Sequence, residues 1–144
     1  MAAENGRYEV AIEGPSLLGS GADFGSQDAD FGLLIPEDEV VLIFMSYDDP
    51  SVTLDMVTAH RRDQVRKNGK AHFEKEERFF LPSGRHRVAS LAYFEGLPNE
   101  ETRFLYSLVV AGAGGPIEVV GSTTRPKNGA KLRQAIMRLR LLGD

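Results

Sequence analysis

Apolar and polar positions along this chain repeat mostly with a period of two, the signature of strands, and with a helical period in only two places. Arg7 to Glu13 sets Tyr8, Val10 and Ile12 on one face and Glu9 and Glu13 on the other, which predicts a half-buried strand near a sheet edge. Phe31 to Ile35 and Val40 to Met45 are apolar runs joined by Pro36-Glu-Asp-Glu39, and read as a hairpin with its second strand inside the sheet. Ala71 to Leu81 alternates charges with Phe73, Phe79 and Leu81. Arg87 to Phe94 and Arg103 to Ala111 are apolar on both faces, so both should be central strands. Ile117 to Thr124 returns after the turn Gly112-Ala-Gly-Gly-Pro116.

The first helical stretch opens at Asp48-Asp-Pro-Ser51, where Asp or Ser can cap free N–H groups and Pro50 suits a first turn; Asn68-Gly69 is a natural stop. Leu54, Val57 and Val65 share one face of it with Arg61, whose aliphatic stem can lie on the core. Val52, Met56 and Ala59 fall on nearly the opposite side. From Asn128 onward, Leu132, Ala135, Ile136, Leu139 and Leu142 recur at helical spacing, which predicts a second helix from Leu132 to Leu142. The order β-β-β-α-β-β-β-β-α describes an α+β fold: one domain over residues 1–144, with an antiparallel sheet of six to seven strands and helices on its faces. Gly14 to Asp30, rich in Gly, Ser and Asp, is expected to be a flexible, irregular loop.

Composition narrows the classes of function. With no cysteine, disulfides, thiolate metal sites and thiol catalysis are excluded. The longest apolar run, Phe104 to Ala113, is well short of the roughly 20 residues that span a bilayer, so no membrane span is expected. No basic and apolar leader marks the N-terminus, which makes cytoplasmic the default compartment, with an exported form whose signal has been removed as the alternative. The net charge of -4 hides an asymmetry: residues 1 to 60 carry 12 acids and one base, residues 61 to 144 carry 9 acids and 16 bases. Internal charge balance accounts for this, unless the bases gather on one face toward a partner.

Chemical motifs are sparse. His72 with Glu74 or Glu76, alternating along one strand face, is a partial ligand set at most, so no metal and no cofactor is expected. Gly112 to Gly115 joins two strands, without the following helix and Lys-Ser/Thr of a phosphate loop. Glu76 and Glu77 point to opposite strand faces and cannot pair for acid–base work. Six bases and no acid lie between residues 125 and 140, but bases flanking an apolar helical stripe are ordinary, and an acidic chain without an aromatic-basic platform argues against nucleic acid.

Three segments resemble the PsbP-like superfamily, which holds the photosystem II extrinsic subunit P, the yeast Ran-binding nuclear-import factor and bacterial DcrB-like proteins. Ile35-Pro-Glu-Asp-Glu-Val-Val-Leu-Ile-Phe-Met45 is similar to its early hairpin, and Ser51-Val-Thr-Leu-Asp-Met-Val57 to the start of its first helix. Arg103 to Thr124 with Leu132 to Leu142 looks like the closing strand pair and helix, and Gly14 to Asp30 does not match. The resemblance spans about residues 31 to 142 and rests on hydrophobic patterns. It implies an antiparallel sheet between helices and binding rather than catalysis, with no catalytic residue to carry over. Its bacterial relatives include envelope lipoproteins and chaperone-like adaptors for secreted effectors.

The expectation is therefore a non-enzymatic protein-binding module of bacterial origin, an adaptor or chaperone-like protein, monomeric or homodimeric. Another protein, such as a secreted effector, would dock on Val52, Met56, Ala59 and Arg62. The alternative is a small-molecule binder or weakly marked enzyme with a pocket between sheet and helix, lined by Phe73, Phe79, Tyr93 and Tyr106.

Overall fold

The computed structural model describes residues 2–4, 8–11, 15–82, 85–125, 127, 129–137 and 139–141. Four long strands follow one another as hairpins: β6 (Ala71–Phe80), β7 (Arg87–Gly96), β8 (Thr102–Val110) and β9 (Ile117–Thr123). The outer side of β9 is taken by β5 (Val40–Ser46), which is in turn hairpinned to β4 (Phe31–Ile35). A short strand β3 (Leu17–Gly19) closes that end, giving a seven-stranded antiparallel sheet in the order β3-β4-β5-β9-β8-β7-β6. This is the α+β architecture that the alternation along the chain predicts.

The two faces are covered differently. Helix α1 (Leu54–Lys67) lies across β6, β7 and β8, and buries Leu54, Val57 and Val65 against Ala89, Leu91, Val109 and Leu105. The other face carries the larger core, in which Val40, Leu42, Phe44, Leu108, Val110 and Val119 meet Leu132 of α2 (Gly129–Met137). Phe31 stacks on Phe44 with ring centres 4.7 Å apart, and Tyr8 packs beside both.

Tyr8 is not at the edge of the main sheet. It belongs to β2 (Tyr8–Ala11), the centre of a separate three-stranded sheet with β1 (Ala2–Glu4) and β10 (Leu139–Leu141). Leu139 to Leu141 is therefore strand, although the spacing from Leu132 reads as one continuous helix. Two leucines at i and i+2 satisfy a strand as readily as a helix, and pairing with Tyr8 to Val10 decides for the strand. Ile12 and Leu142 lie outside the described residues.

Residues 15–30 also differ from the irregular loop expected, and Gly14 lies outside the described residues. Within them, β3 pairs with β4, and Gly21–Phe24 forms a 3-10 turn. The ring of Phe24 occupies the space above Gly32, where a Cβ would sit 2.1 Å from it. The missing side chain of β4 is what gives the segment something to pack against. The helix start is corrected as well: Thr53 caps α1, its Oγ1 accepting from the Met56 N–H at 3.2 Å. Asp49 instead turns back on Ser51, accepting from its N–H and its hydroxyl.

Candidate functional site

The margin between α1 and the edge strand β6 holds the exposed Phe73 and Phe80 and several arginines. How α1 is seated there depends on one buried acid. Glu118 is fully buried in β9, facing α1 beside Val109. Arg61 reaches it from the helix, donating from Nε to Oε2 at 2.9 Å and from Nη2 to Oε1 at 2.8 Å. The Tyr47 hydroxyl donates to Oε1 at 3.2 Å and the Ser107 hydroxyl to Oε2 at 3.1 Å. Outward from this cluster, Arg61 also donates to Gln64 at 2.8 Å, and Gln64 contacts His60.

Both carboxylate oxygens are thus doubly occupied and the charge is neutralised by a bidentate guanidinium. Such a group has no free lone pair directed to an open surface, so it acts as a clasp between helix and sheet, not as a base or nucleophile. Its neighbours respond electrostatically. The Tyr47 hydroxyl is pushed up to about 12, first by burial and then by the Glu118 charge. Burial also pushes the Tyr93 hydroxyl up, and the Glu118 hydrogen bonds hold the Arg61 guanidinium above its ordinary value.

Sequence reasoning missed this cluster. Its signal was there: Glu118 is the lone charge in the apolar run Ile117 to Val120, and Arg61 is the lone charge on the apolar face of α1. Two isolated charges on two apolar faces that pack together should find each other. Arg61 does lie on the core as expected, but its head is paired within it.

The predicted docking residues divide. Val52 precedes the helix and packs half-buried against Leu54, Val57, Ala89 and Val109, so it is no part of an outward stripe. Ala59 is half-buried. Met56 is 54% exposed, and Arg62 reaches across to an ion pair with Glu76 on β6. The surface at this margin therefore consists of Arg62 together with the rim of β6, while Met56 stands exposed on the outward side of α1.

The predicted aromatic pocket does not form. A β-bulge between Phe73 and Lys75 inserts one residue into β6 and reverses the face on which its side chains fall. Phe73 then pairs with Tyr93 on the α1 face, while Phe79 pairs with Val88 on the opposite face, which Tyr106 shares through its pairing with Ala92. Tyr93 and Tyr106 are both buried, in separate cores on the two sides of the sheet. The same bulge separates His72 from Glu76, whose partners Phe94 and Leu91 face opposite ways.

Two clefts of about 220 Å³ each occupy the ends of the α1–β6 margin. One is lined by Phe73, Arg62, Arg66, Glu74, Lys75 and Glu76, with the Arg66 guanidinium 5.9 Å from the centre of the Phe73 ring. The other is lined by the apolar Leu54, Phe79, Phe80 and Val88 and by Asp55, Arg78 and Arg87. Phe80 is 58% exposed and Phe73 39%. Arg78 pairs with Asp55 at 3.1 Å, whereas Arg66 and Arg87 make no ion pair among the described residues.

A scan against protein-family models finds no match, and a search of curated proteins finds none either. Solved structures do match. Cyanobacterial PsbP from Synechocystis superposes with a TM-score of 0.71 at 15% identity, over 98% of this chain and 91% of that one. LpqN of Mycobacterium tuberculosis, involved in cell envelope biogenesis, gives 0.61 at 10% identity, over 93% and 82%. PA94 of Pseudomonas aeruginosa, of unknown function, gives 0.53 at 12% identity, over 88% and 83%. These likenesses show the fold: the chain has the PsbP-like fold that its sequence resembles. Among the described residues, no helix is long and apolar enough to cross a membrane.

Proposed function

We propose that this protein is a non-enzymatic docking module, an adaptor or chaperone-like protein that holds another protein along the margin between α1 and β6. The observation that carries the reading is the alignment of exposed Phe73 and Phe80 with a row of arginines on one margin of the domain, beside the exposed Met56 of α1. Exposed aromatics beside arginine are the residue types that anchor protein interfaces. The clasp of Arg61 on Glu118 supports it further, because it holds α1 rigidly at the side of that surface. The three structures named above come from bacteria, which supports a bacterial source, and a secreted effector is the partner we assign.

Neither cleft favours a small-molecule role, since each is smaller than the roughly 300 Å³ at which ligand pockets begin. Site-specific photo-crosslinking in cells that naturally make the protein tests the docking reading. A crosslinking side chain in place of Met56 or Phe80 should give a discrete heavier adduct with one protein, and the same group in place of Asn99, on the β7–β8 turn, should not. Adducts from Asn99 alone, or from none of the three positions, would refute the proposal.

A further inference from the structure

We infer that the outer edge of β6 takes an extended, acidic segment of the partner as an eighth strand, with an apolar side chain of that segment seated beside Phe80 and a carboxylate on Arg87. This rests on the docking reading and adds the partner's chemistry and its mode of binding.

The backbone is the first reason. β6 spans Ala71–Phe80 and ends the sheet, with no strand on its outer side among the described residues. An edge strand presents a row of unpaired N–H and C=O groups, and an extended peptide satisfies them by strand addition. Beyond the bulge, Lys75 to Phe80 pairs regularly with Leu91-side residues Ala92 to Arg87, so its outer edge is equally regular. Strand addition also explains why the clefts lie where they do. A strand laid beside β6 would pass over both, and side chains two positions apart on one face would drop toward α1.

Charge is the second reason. The two clefts together are lined by five bases and three acids, on a protein whose net charge is -4. Asp55 and Glu76 already engage Arg78 and Arg62, which leaves Arg66 and Arg87, one in each cleft, without a carboxylate among the described residues. Phe73 and Phe80 stand roughly 20 Å apart at about 3.3 Å per strand residue, allowing for the bulge. Each therefore offers an aromatic surface with a cation beside it, and the matching segment carries apolar and acidic residues at both ends.

A second copy of this chain fits the edge less well. Two-fold antiparallel pairing centred on Glu76 would set that carboxylate against its own counterpart, and would draw the bulge at Glu74 into the ladder. The bulge and the charges of β6 are devices that discourage such edge-to-edge pairing while leaving the strand open to a chosen partner.

The test is fluorescence anisotropy of the full chain with a labelled synthetic peptide, in which valine and glutamate alternate between two terminal phenylalanines. Two control peptides carry lysine for glutamate, or N-methyl groups on alternate backbone nitrogens. The acidic peptide should bind, weaken as salt is raised, and lose affinity about tenfold or more with Arg87→Glu or with Phe80→Ser, both exposed positions. The N-methylated and lysine peptides should not bind. Equal binding of the N-methylated peptide would overturn strand addition, equal binding of the lysine peptide would overturn the charge assignment, and no binding of any peptide would overturn both. Concentration-dependent dimers in sedimentation, abolished by Arg87→Glu or Lys75→Glu, would give the edge to a second copy and also overturn the inference. Crosslinks from position 56 or 80 combined with no peptide binding would sink this inference alone and leave the docking reading standing.

Discussion

The Arg61 guanidinium and the Glu118 carboxylate form a bidentate pair across 57 residues of sequence, with both hydrogen bonds under 3 Å and the acid fully buried. Two charges taken out of water here are matched to each other and to two hydroxyls, so the pair specifies where α1 sits more than it adds stability.

Removing one partner should be far worse than removing both. Arg61→Ala leaves a buried carboxylate held only by Tyr47 and Ser107, and should cost about 3 kcal/mol. The double replacement Arg61→Met with Glu118→Leu should recover most of that loss. Urea unfolding reads both outcomes as midpoint shifts at unchanged slope.

Tyr47 gives this cluster a signature in alkali. Its hydroxyl is raised from 10.0 to about 12 in the folded protein. A raised folded value means that its contribution is complete below about pH 10, the unfolded value, and is lost as pH rises toward 12. Wild type should therefore lose stability across that window more steeply than Tyr47→Phe, while at neutral pH the variant should be weaker by about 1 kcal/mol for the lost hydrogen bond. Denaturant unfolding at a series of pH values, with phenolate absorbance followed in parallel, measures this.

Gly115 is the backbone support of the same site. It has φ +122, and a Cβ there would lie 1.9 Å from the Tyr47 carbonyl oxygen. Gly115→Ala must displace the 47–49 segment, and should cost more than about 2 kcal/mol while lowering the Tyr47 titration toward the ordinary tyrosine value. Gly112→Ala, in the same turn at an ordinary φ, should be milder, and thermal unfolding ranks the two.

Helix α1 depends on its cap. Thr53→Ala leaves the Met56 N–H without its side-chain acceptor and should cost about 1 kcal/mol, whereas Thr53→Ser should be close to neutral. Circular dichroism melts separate them.

The hairpins and the end of α1 were legible because their causes are local. Pro36 to Glu39 turns between two apolar runs, and Asn68 ends the helix, as the composition at those points requires. The cap was misplaced because Asp49, Ser51 and Thr53 are all competent, and only the start of the apolar face at Leu54 selects Thr53. The second sheet was not legible, since the pairing of Leu139–Leu141 with Tyr8–Val10 joins the two ends of the chain. Of the candidate docking residues, Arg62 lies against β6 through its pair with Glu76, Met56 is exposed, and Val52 and Ala59 are half-buried. A bulge that leaves no mark in the alternation of Ala71 to Leu81 parts Phe73 from Phe79, and the β7–β8 register sets Tyr93 and Tyr106 on opposite faces.

By itself the sequence determined most of the element types and boundaries and the PsbP-like order, because a period of two or of 3.6 is set by residues within a few positions of one another. Tertiary structure alone decided which face each side chain occupies, that Glu118 belongs to Arg61, and that β6 is left at the edge. Those depend on register, on one inserted residue at Glu74 and on which strand lies beside which, and pairings between residues tens of positions apart settle them.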